Sequence, residues 1–440
     1  MLPPPSLKLS RCLRKRPLSS TSNASHPPIA MPTIAVLGTL DTKGVEVEFL
    51  AEQIRSRGCD SLIIDLGVLG APAIKPGVPR ETVAARADAD IAELAAAGDR
   101  GEAVSAMTRG IERLLPELYA DGRLQGVIAI GGTAGSTMAS AAMRALPFGV
   151  PKLLVSTIAG GDVSTFVGSK DITMTPSIVD VSGLNRISRQ VMTQAAAAVA
   201  AMAQAEIPTG DDRPLIAASM FGNTTACVEA ARERLEGAGF EILVFHSTGT
   251  GGRTMESLIA DGYVEAVLDV TTTELADDLA GGVMSAGPTR LQAAADAGIP
   301  AVVAPGCLDM VNFWAPQSTP EKYSGRRFYQ HNPNVTLMRT TPDENHELGR
   351  RFAEKLNRSK GPVAVYLPLR GISVISAAGQ PFHWPEADHA LFEAIKQNLK
   401  PEIALHELDV NINDALFAKA VADGLLELMQ HRAEAHNQGV

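Results

Sequence analysis

Two glycine turns could hold a phosphate. Gly38-Thr-Leu-Asp-Thr-Lys-Gly44 and Gly131-Gly-Thr-Ala-Gly-Ser-Thr137 each follow a short apolar run and lead into a helical pattern. Main-chain N–H groups at a helix start attract anions, and small residues let a phosphate come close. In the first turn Lys43 could neutralise such a charge, although Asp41 or Thr42 could instead just cap the helix. In the second, Thr133, Ser136 and Thr137 offer hydroxyls. Neither turn is a P-loop, because GxxxxGK[ST] is absent, and neither carries the GxGxxG fingerprint. No acidic residue lies about twenty positions beyond the second turn to hold a ribose, which disfavours NAD. Mg²⁺ needs few protein oxygens when phosphates supply the rest, so Asp41 or Asp162 could join one.

The later half has different chemistry. His246-Ser-Thr-Gly-Thr-Gly-Gly-Arg253 is another glycine turn, in which Arg253 could grip an anion in bidentate fashion. Glu274 closes Asp269-Val-Thr-Thr-Thr-Glu274, and Asp309 closes Gly306-Cys-Leu-Asp309. Arg326, Arg327, His331 and Asn332 fall in a stretch that reads as irregular. His246, Glu274, Asp309 and His331 could converge as an acid/base or metal set. No HExxH spacing favours a metal, and no GxSxG elbow favours a serine hydrolase. Cys307 reads as a small packed hydrophobe. Asp388 reads as a contact to its own helix, and Ser182 and Asn185 as helix caps.

These turns need strands and helices to position them. Residues 33–38, 61–66, 126–130 and 152–156 read as buried parallel strands separated by helical patterns at 45–57, 80–97, 102–120 and 136–145. Much of this recurs about 180 residues later: 214–220 repeats the first strand, 221–225 the polar turn, and 241–246 the second strand. Strands at 266–270, 301–304, 364–367 and 402–408 follow, with helical patterns at 289–297, 390–400 and 411–430. The expected fold is α/β: two Rossmann-like doubly wound domains, mostly parallel, with a cleft between them. The expected boundaries are 31–206 and 213–432, joined by a polar Pro/Gly linker after an Ala-rich helix at 186–205. In such sheets ligands sit beyond the carboxyl ends of the strands, where strand order reverses.

Composition excludes several classes. The 440 residues are 45% hydrophobic and 20% charged, a globular balance. A net charge of −10 argues against a nucleic-acid binder. No apolar run is long enough for a membrane span. The four cysteines, Cys12, Cys59, Cys227 and Cys307, are too scattered for a disulfide framework or a Cys zinc site. Residues 1–30 carry five basic side chains and no acidic one, and without them the charge is −15. This leader reads as a mitochondrial transit segment or as a disordered tail preceding Met31, which leaves cytoplasmic and mitochondrial locations open.

Six ordered strings carry a family resemblance: GTLDTKG (38–44), GGTAGS (131–136), VDVSGLN (179–185), GTGGRTMESLI (249–259), DVTTTE (269–274) and PGCLDMVNF (305–313). Together they resemble the ATP-binding domain family of the tomato mosaic virus resistance protein, over about residues 32–430. The resemblance implies two Rossmann-like subdomains, a homodimer, and ATP with Mg²⁺. Carried over by matching loops, the nucleotide would lie against Gly38, Thr39, Asp41, Lys43, Gly131, Gly132, Thr133, Ser136 and Thr137; the metal would be the one that Asp41 or Asp162 could join. Arg253, Glu274, Asp309 and His331 would face a small anionic metabolite across the cleft. Two other functions stay open: a non-catalytic, nucleotide-dependent interaction module, and a nucleotide-independent hydrolase or lyase built on His331 and Asp309.

Overall fold

The computed structural model describes residues 31–210 and 212–438; the basic leader lies outside the described residues. The chain divides into two compact units that meet at Gly210/Asp211.

In the first unit, strands β1 (Thr33–Gly38), β2 (Asp60–Asp65), β3 (Gly126–Gly131), β4 (Lys152–Ser156) and β5 (Thr173–Pro176) form one parallel sheet in the order β2-β1-β3-β4-β5. The inner strands β1 and β3 are apolar along nearly their whole length because both faces are covered. Ala35, Leu37, Val127 and Ala129 pack against the helices Arg100–Ala120 and Thr133–Arg144. Their neighbours Ile34, Val36, Ile128 and Ile130 pack against Leu40–Arg55 and Arg186–Gln204. The chain leaves β1 for β2 on one side and returns for β3 on the other, so strand order reverses between β1 and β3.

The second unit repeats that opening. Strands β6 (Leu215–Met220), β7 (Glu241–His246), β8 (Ala266–Thr271) and β9 (Ala301–Gly306) belong to a parallel six-stranded sheet. A small antiparallel sheet follows, from β10 (Met310–Phe313), β11 (Phe328–Asn332) and β12 (Val335–Arg339), in the order β10-β12-β11. Strands β13 (Val363–Pro368) and β14 (Ala404–Leu408) then complete the large sheet as β14-β13-β9-β8-β6-β7. Here order reverses between β6 and β8. The repeat extends to backbone detail: Gly58 and Gly239 end the first helix of each unit at φ 74 and φ 99, a region that favours glycine.

Three expected elements differ. The helical pattern at 80–97 is two helices, Arg80–Ala85 and Ile91–Ala97, split by Asp88 at φ 56 and by Asp90, whose carboxylate accepts from the N–H groups of Ala92 and Glu93. The pattern at 289–297 is helical only over Ala293–Ala297. The stretch around His331, read as irregular, contains β11 and β12.

Candidate functional site

Both glycine turns of the first unit lie at its reversal of strand order. Leu37 of β1 pairs with Ala129 of β3, so the loops after Gly38 and Gly131 are neighbours. What separates them is how each helix start is filled.

The first turn is closed on itself. Asp65, the last residue of β2 and fully buried, accepts from the Leu40 N–H (3.0 Å) and the Gly67 N–H (2.8 Å) through Oδ1. A carboxylate therefore already occupies the start of the helix Leu40–Arg55. Burial pushes the Asp65 carboxyl up, against the pull of those two N–H groups. Asp41 Oδ2 accepts from three successive N–H groups, Val68 (3.2 Å), Leu69 (2.9 Å) and Gly70 (3.3 Å). Thr39 and Thr42 hydroxyls bond each other at 2.7 Å. Lys43, at a kink in the helix, donates to the Val181 carbonyl, and Glu46 accepts from the Gly183 N–H. These two bonds stitch the helix to the 177–185 segment.

The second turn is open. The helix Thr133–Arg144 begins at Gly132 with no side-chain cap. Its first main-chain bond is Ser136 N–H to the Gly132 carbonyl at 2.8 Å. The N–H groups of Thr133, Ala134 and Gly135 thus have no intrahelical acceptor. Gly131 allows the close turn, since a Cβ there would lie 3.1 Å from the Gly135 Cα. Thr133 is exposed. Ser136 is not: its hydroxyl is buried against that of Ser156 at 2.6 Å and braces the helix on β4. Thr137 bonds back to the Thr133 carbonyl at 2.9 Å.

Asp41 and Asp162 are not brought together. Asp41 is clamped to the loop that follows β2, whereas Asp162 follows β4, and β1 and β3 lie between. At ~4.8 Å per strand that is roughly 14 Å. Asp162 is exposed and accepts from the Ser164 N–H at 2.9 Å, and hydrogen bonds from Ser164 hold its carboxyl below the usual range. Among the described residues no group of three or more His, Cys, Asp or Glu side chains could hold a metal ion. The described residues thus form no protein cage for a metal; a Mg²⁺ would have to draw most of its oxygens from elsewhere, and Asp162 is the exposed carboxylate of the expected pair.

In the second unit Glu274 does what Asp65 does in the first. Its Oε1 accepts from the N–H groups of Gly249 (2.7 Å) and Gly252 (3.1 Å), filling the start of the helix Thr250–Ala260. Its Oε2 meets Arg290 Nε at 2.6 Å. Arg290 is fully buried, and it also pairs with both oxygens of Asp269 and with Glu256. Burial opposes its charge, but Asp269, Glu274 and Glu256 outweigh that and hold the guanidinium well above its usual range. Arg253 is spent on the Ser285 carbonyl (2.8 Å) and the Thr250 hydroxyl (3.3 Å).

Asp309 sits in a separate network. It is fully buried; Oδ2 accepts from the Ser373 hydroxyl at 2.7 Å, and Oδ1 has no partner among the described residues. Burial pushes its carboxyl up, with Arg339 pulling the other way. Cys307, at φ 59, is fully buried, and burial drives its thiol well up, so it is no thiolate nucleophile. His331 is exposed, in the β11 bulge opposite Thr336 and Val335. Asp309 lies instead beside Thr340, whose N–H bonds its carbonyl. Four residues of strand separate these points, roughly 13 Å. Asp309 and His331 therefore do not converge, as the expected acid/base or metal set of His246, Glu274, Asp309 and His331 requires, whereas Arg253 and Glu274 share one helix start. Asp65 and Arg290 went unselected by sequence reading. Asp65 had one mark, a charge closing an apolar strand; Arg290 had none, because its three partners are 16 to 34 residues away.

Residues 32–208 match the N-terminal domain model of an uncharacterised protein family, UPF0261, and residues 213–429 match its C-terminal domain model. The chain belongs to the UPF0261 family. A UPF0261 protein of Clostridium tetani is 46% identical over 90% of this chain and 99% of its own length. One from Rhizobium meliloti is 45% identical over 89% of this chain and 97% of its own. The ToMV resistance protein Tm-1(GCR237) of Solanum lycopersicum is 36% identical over 90% of this chain and 56% of its own length. Among solved structures, a UDP-N-acetylglucosamine 2-epimerase from Rickettsia bellii aligns over 93% of this chain and 99% of its own, at 11% identity and a TM-score of 0.23. No helix among the described residues is long and apolar enough to cross a membrane.

Proposed function

We propose that this UPF0261 chain is a nucleotide-binding protein that takes ATP, with Mg²⁺, by its phosphates at the start of the helix Thr133–Arg144. One observation carries the reading. Of three helices that follow glycine turns, two have their starts filled by an internal carboxylate, Asp65 or Glu274, and the third has no side-chain cap. That third helix stands beside the β1 loop at the strand-order reversal, where open α/β sheets bind ligands. Exposed Thr133 adds a hydroxyl, and Asp162 is the carboxylate available to a phosphate-borne Mg²⁺. When bound, the metal would neutralise phosphate charge. The resemblance of the two loops to an ATP-binding family supports ATP over other phosphates. The reading stops at binding, because of the four second-unit residues expected to act on a substrate Asp309 and His331 stand apart from each other and Glu274 is spent on a helix start and on Arg290.

Gly132→Asp tests it. Gly132 has an extended backbone (φ −83, ψ −160), and a Cβ there would meet only the Thr157 hydroxyl at 3.7 Å, so the substitution fits. The new carboxylate would cap the helix as Asp65 and Glu274 cap theirs, leaving stability unchanged or raised by a few tenths of a kcal/mol. Calorimetric titration with ATP and Mg²⁺ is expected to show binding to the wild type and at least tenfold weaker binding to the variant. Equal affinity in both would remove this helix from the site.

A further inference from the structure

One buried guanidinium in the second unit faces two buried carboxyls. Arg339, the last residue of β12, is fully buried, as is Asp309, and Asp388 is only 6% exposed. Together they hold both ends of a strap, residues 369–384, that joins β13 to the helix Pro385–Asn398. The strap is longer than the ~12–15 residues of an ordinary connection, a length that usually serves a function. At its front end the Ser373 hydroxyl donates to Asp309 Oδ2 at 2.7 Å, and the Cys307 N–H to the Ile372 carbonyl at 2.9 Å. At its rear end Arg339 donates to the carbonyls of Phe382 (2.8 Å) and Trp384 (3.4 Å), and to Asp388 Oδ1 at 2.6 Å.

The charges at these two ends do not balance. Asp388 is bonded to the guanidinium, whose other bonds go to Thr340 and the two strap carbonyls, and Asp309 Oδ1 has no partner among the described residues. With both carboxyls ionised, the closed strap would bury a negative charge that Arg339 cannot also pair, which is costly. The neighbouring groups do not supply the missing positive charge. Arg326 is paired with Glu344 of the helix Pro342–Leu356 at 2.6 Å, and exposed Arg327 lies over the Trp384 ring. His383 is exposed on the strap itself, where its Nδ1 meets the Ser376 carbonyl, and burial keeps the Cys307 thiol neutral. Burial also pushes the Asp388 carboxyl from 3.8 up to about 6, with Arg339 opposing and Asp309 adding to the rise, and it pushes Asp309 up as well. We propose that the strap is a proton-linked latch: closing it takes one proton from solvent onto the Asp309–Asp388 pair, and lifting it returns that proton. Asp309 Oδ1 is the oxygen left to carry it. The closed strap is thus favoured in acid and loses that advantage as pH rises through about 6, because the second carboxylate prefers water. The latch is independent of the nucleotide reading.

Hydrogen–deuterium exchange on the full chain tests it, read as protection factors corrected for the intrinsic pH dependence of exchange. Protection of peptides within 371–384 is expected to fall about tenfold between pH 5 and pH 8, the size set by one carboxyl at about 6 in the closed strap and 3.8 in the lifted one. At each pH the strap is expected to be less protected than β9, so that it lifts without the unit unfolding. Asp309→Asn keeps an acceptor for the Ser373 hydroxyl and leaves Arg339 and Asp388 as a neutral pair. Its strap protection is expected to be flat with pH, and at pH 8 no lower than wild type. Asp388→Asn leaves Arg339 with Asp309 and is expected to flatten the slope too, so either variant serves if the other folds poorly. Gly132→Asp is expected to keep the wild-type slope, so the latch and the nucleotide reading can fail separately. Equal strap protection at pH 5 and pH 8 in the wild type, strap protection equal to that of β9 throughout, or a slope retained in the Asn variants would overturn the proposal.

Discussion

Asp277 shows how strongly single buried groups set the behaviour of the second unit. Its Oδ1 accepts from the N–H groups of Met284 (3.0 Å) and Asn312 (3.1 Å), and its Oδ2 from the Asn312 amide at 2.7 Å. Burial pushes its carboxyl up from 3.8 to about 7, with the Asn312 and Met284 bonds opposing and Glu274 adding to the rise. The folded chain thus keeps a proton that the unfolded chain releases near pH 4. Its contribution to stability is largest below that pH, falls as pH rises to about 7, and is flat above. Asp277→Asn removes the titration. Asn312 Oδ1 has no partner among the described residues, so its amide can turn over to accept from the new Asn side chain. Denaturant melts at a series of pH values are expected to show a flatter decline between pH 4 and 7 in the variant, with stability at pH 8 no lower than wild type. An unchanged pH slope would contradict this account of Asp277.

At the scale of elements, the Thr250–Ala260 helix depends on the space left by its own glycines. A Cβ on Gly252 would fall within the Glu274 carboxylate, which also holds buried Arg290. Gly252→Ala must therefore move Glu274, which overpacks the site and loosens a buried ion pair. The expected cost is about 3 kcal/mol, read as a lower urea midpoint; a midpoint within error of wild type would show that Glu274 is not wedged there. Elements of this kind were unevenly legible in the sequence. Strands such as β1 and β3 were plain, because parallel strands covered on both faces are continuous apolar runs. β11 was not, because most of Phe328–Asn332 is exposed and no alternation marks it. The glycine turns were legible as strand-to-helix turns, but which helix start is left unfilled depends on Asp65 and Glu274, carboxylates contributed 25 and 22 residues away from the N–H groups they fill. No local pattern records such a pairing.

For the whole molecule, the duplicated strand order does not mean duplicated function. Both sheets reverse after their first strand, yet the second unit fills its glycine-turn helix with Glu274 and closes its ion network around Arg290. On the proposed reading, one nucleotide would bind per chain. On that reading, a chain of net charge −10 repels ATP at long range, so the phosphates would depend on local N–H groups and a phosphate-borne cation. Amide chemical shifts of the ¹⁵N-labelled chain, followed as ATP and Mg²⁺ are added, test that directly. The account predicts large downfield shifts for the Thr133, Ala134 and Gly135 amides, and small ones for Leu40, Gly249 and Gly252. Shifts concentrated at Leu40 or Gly249 with Thr133–Gly135 unmoved would contradict it.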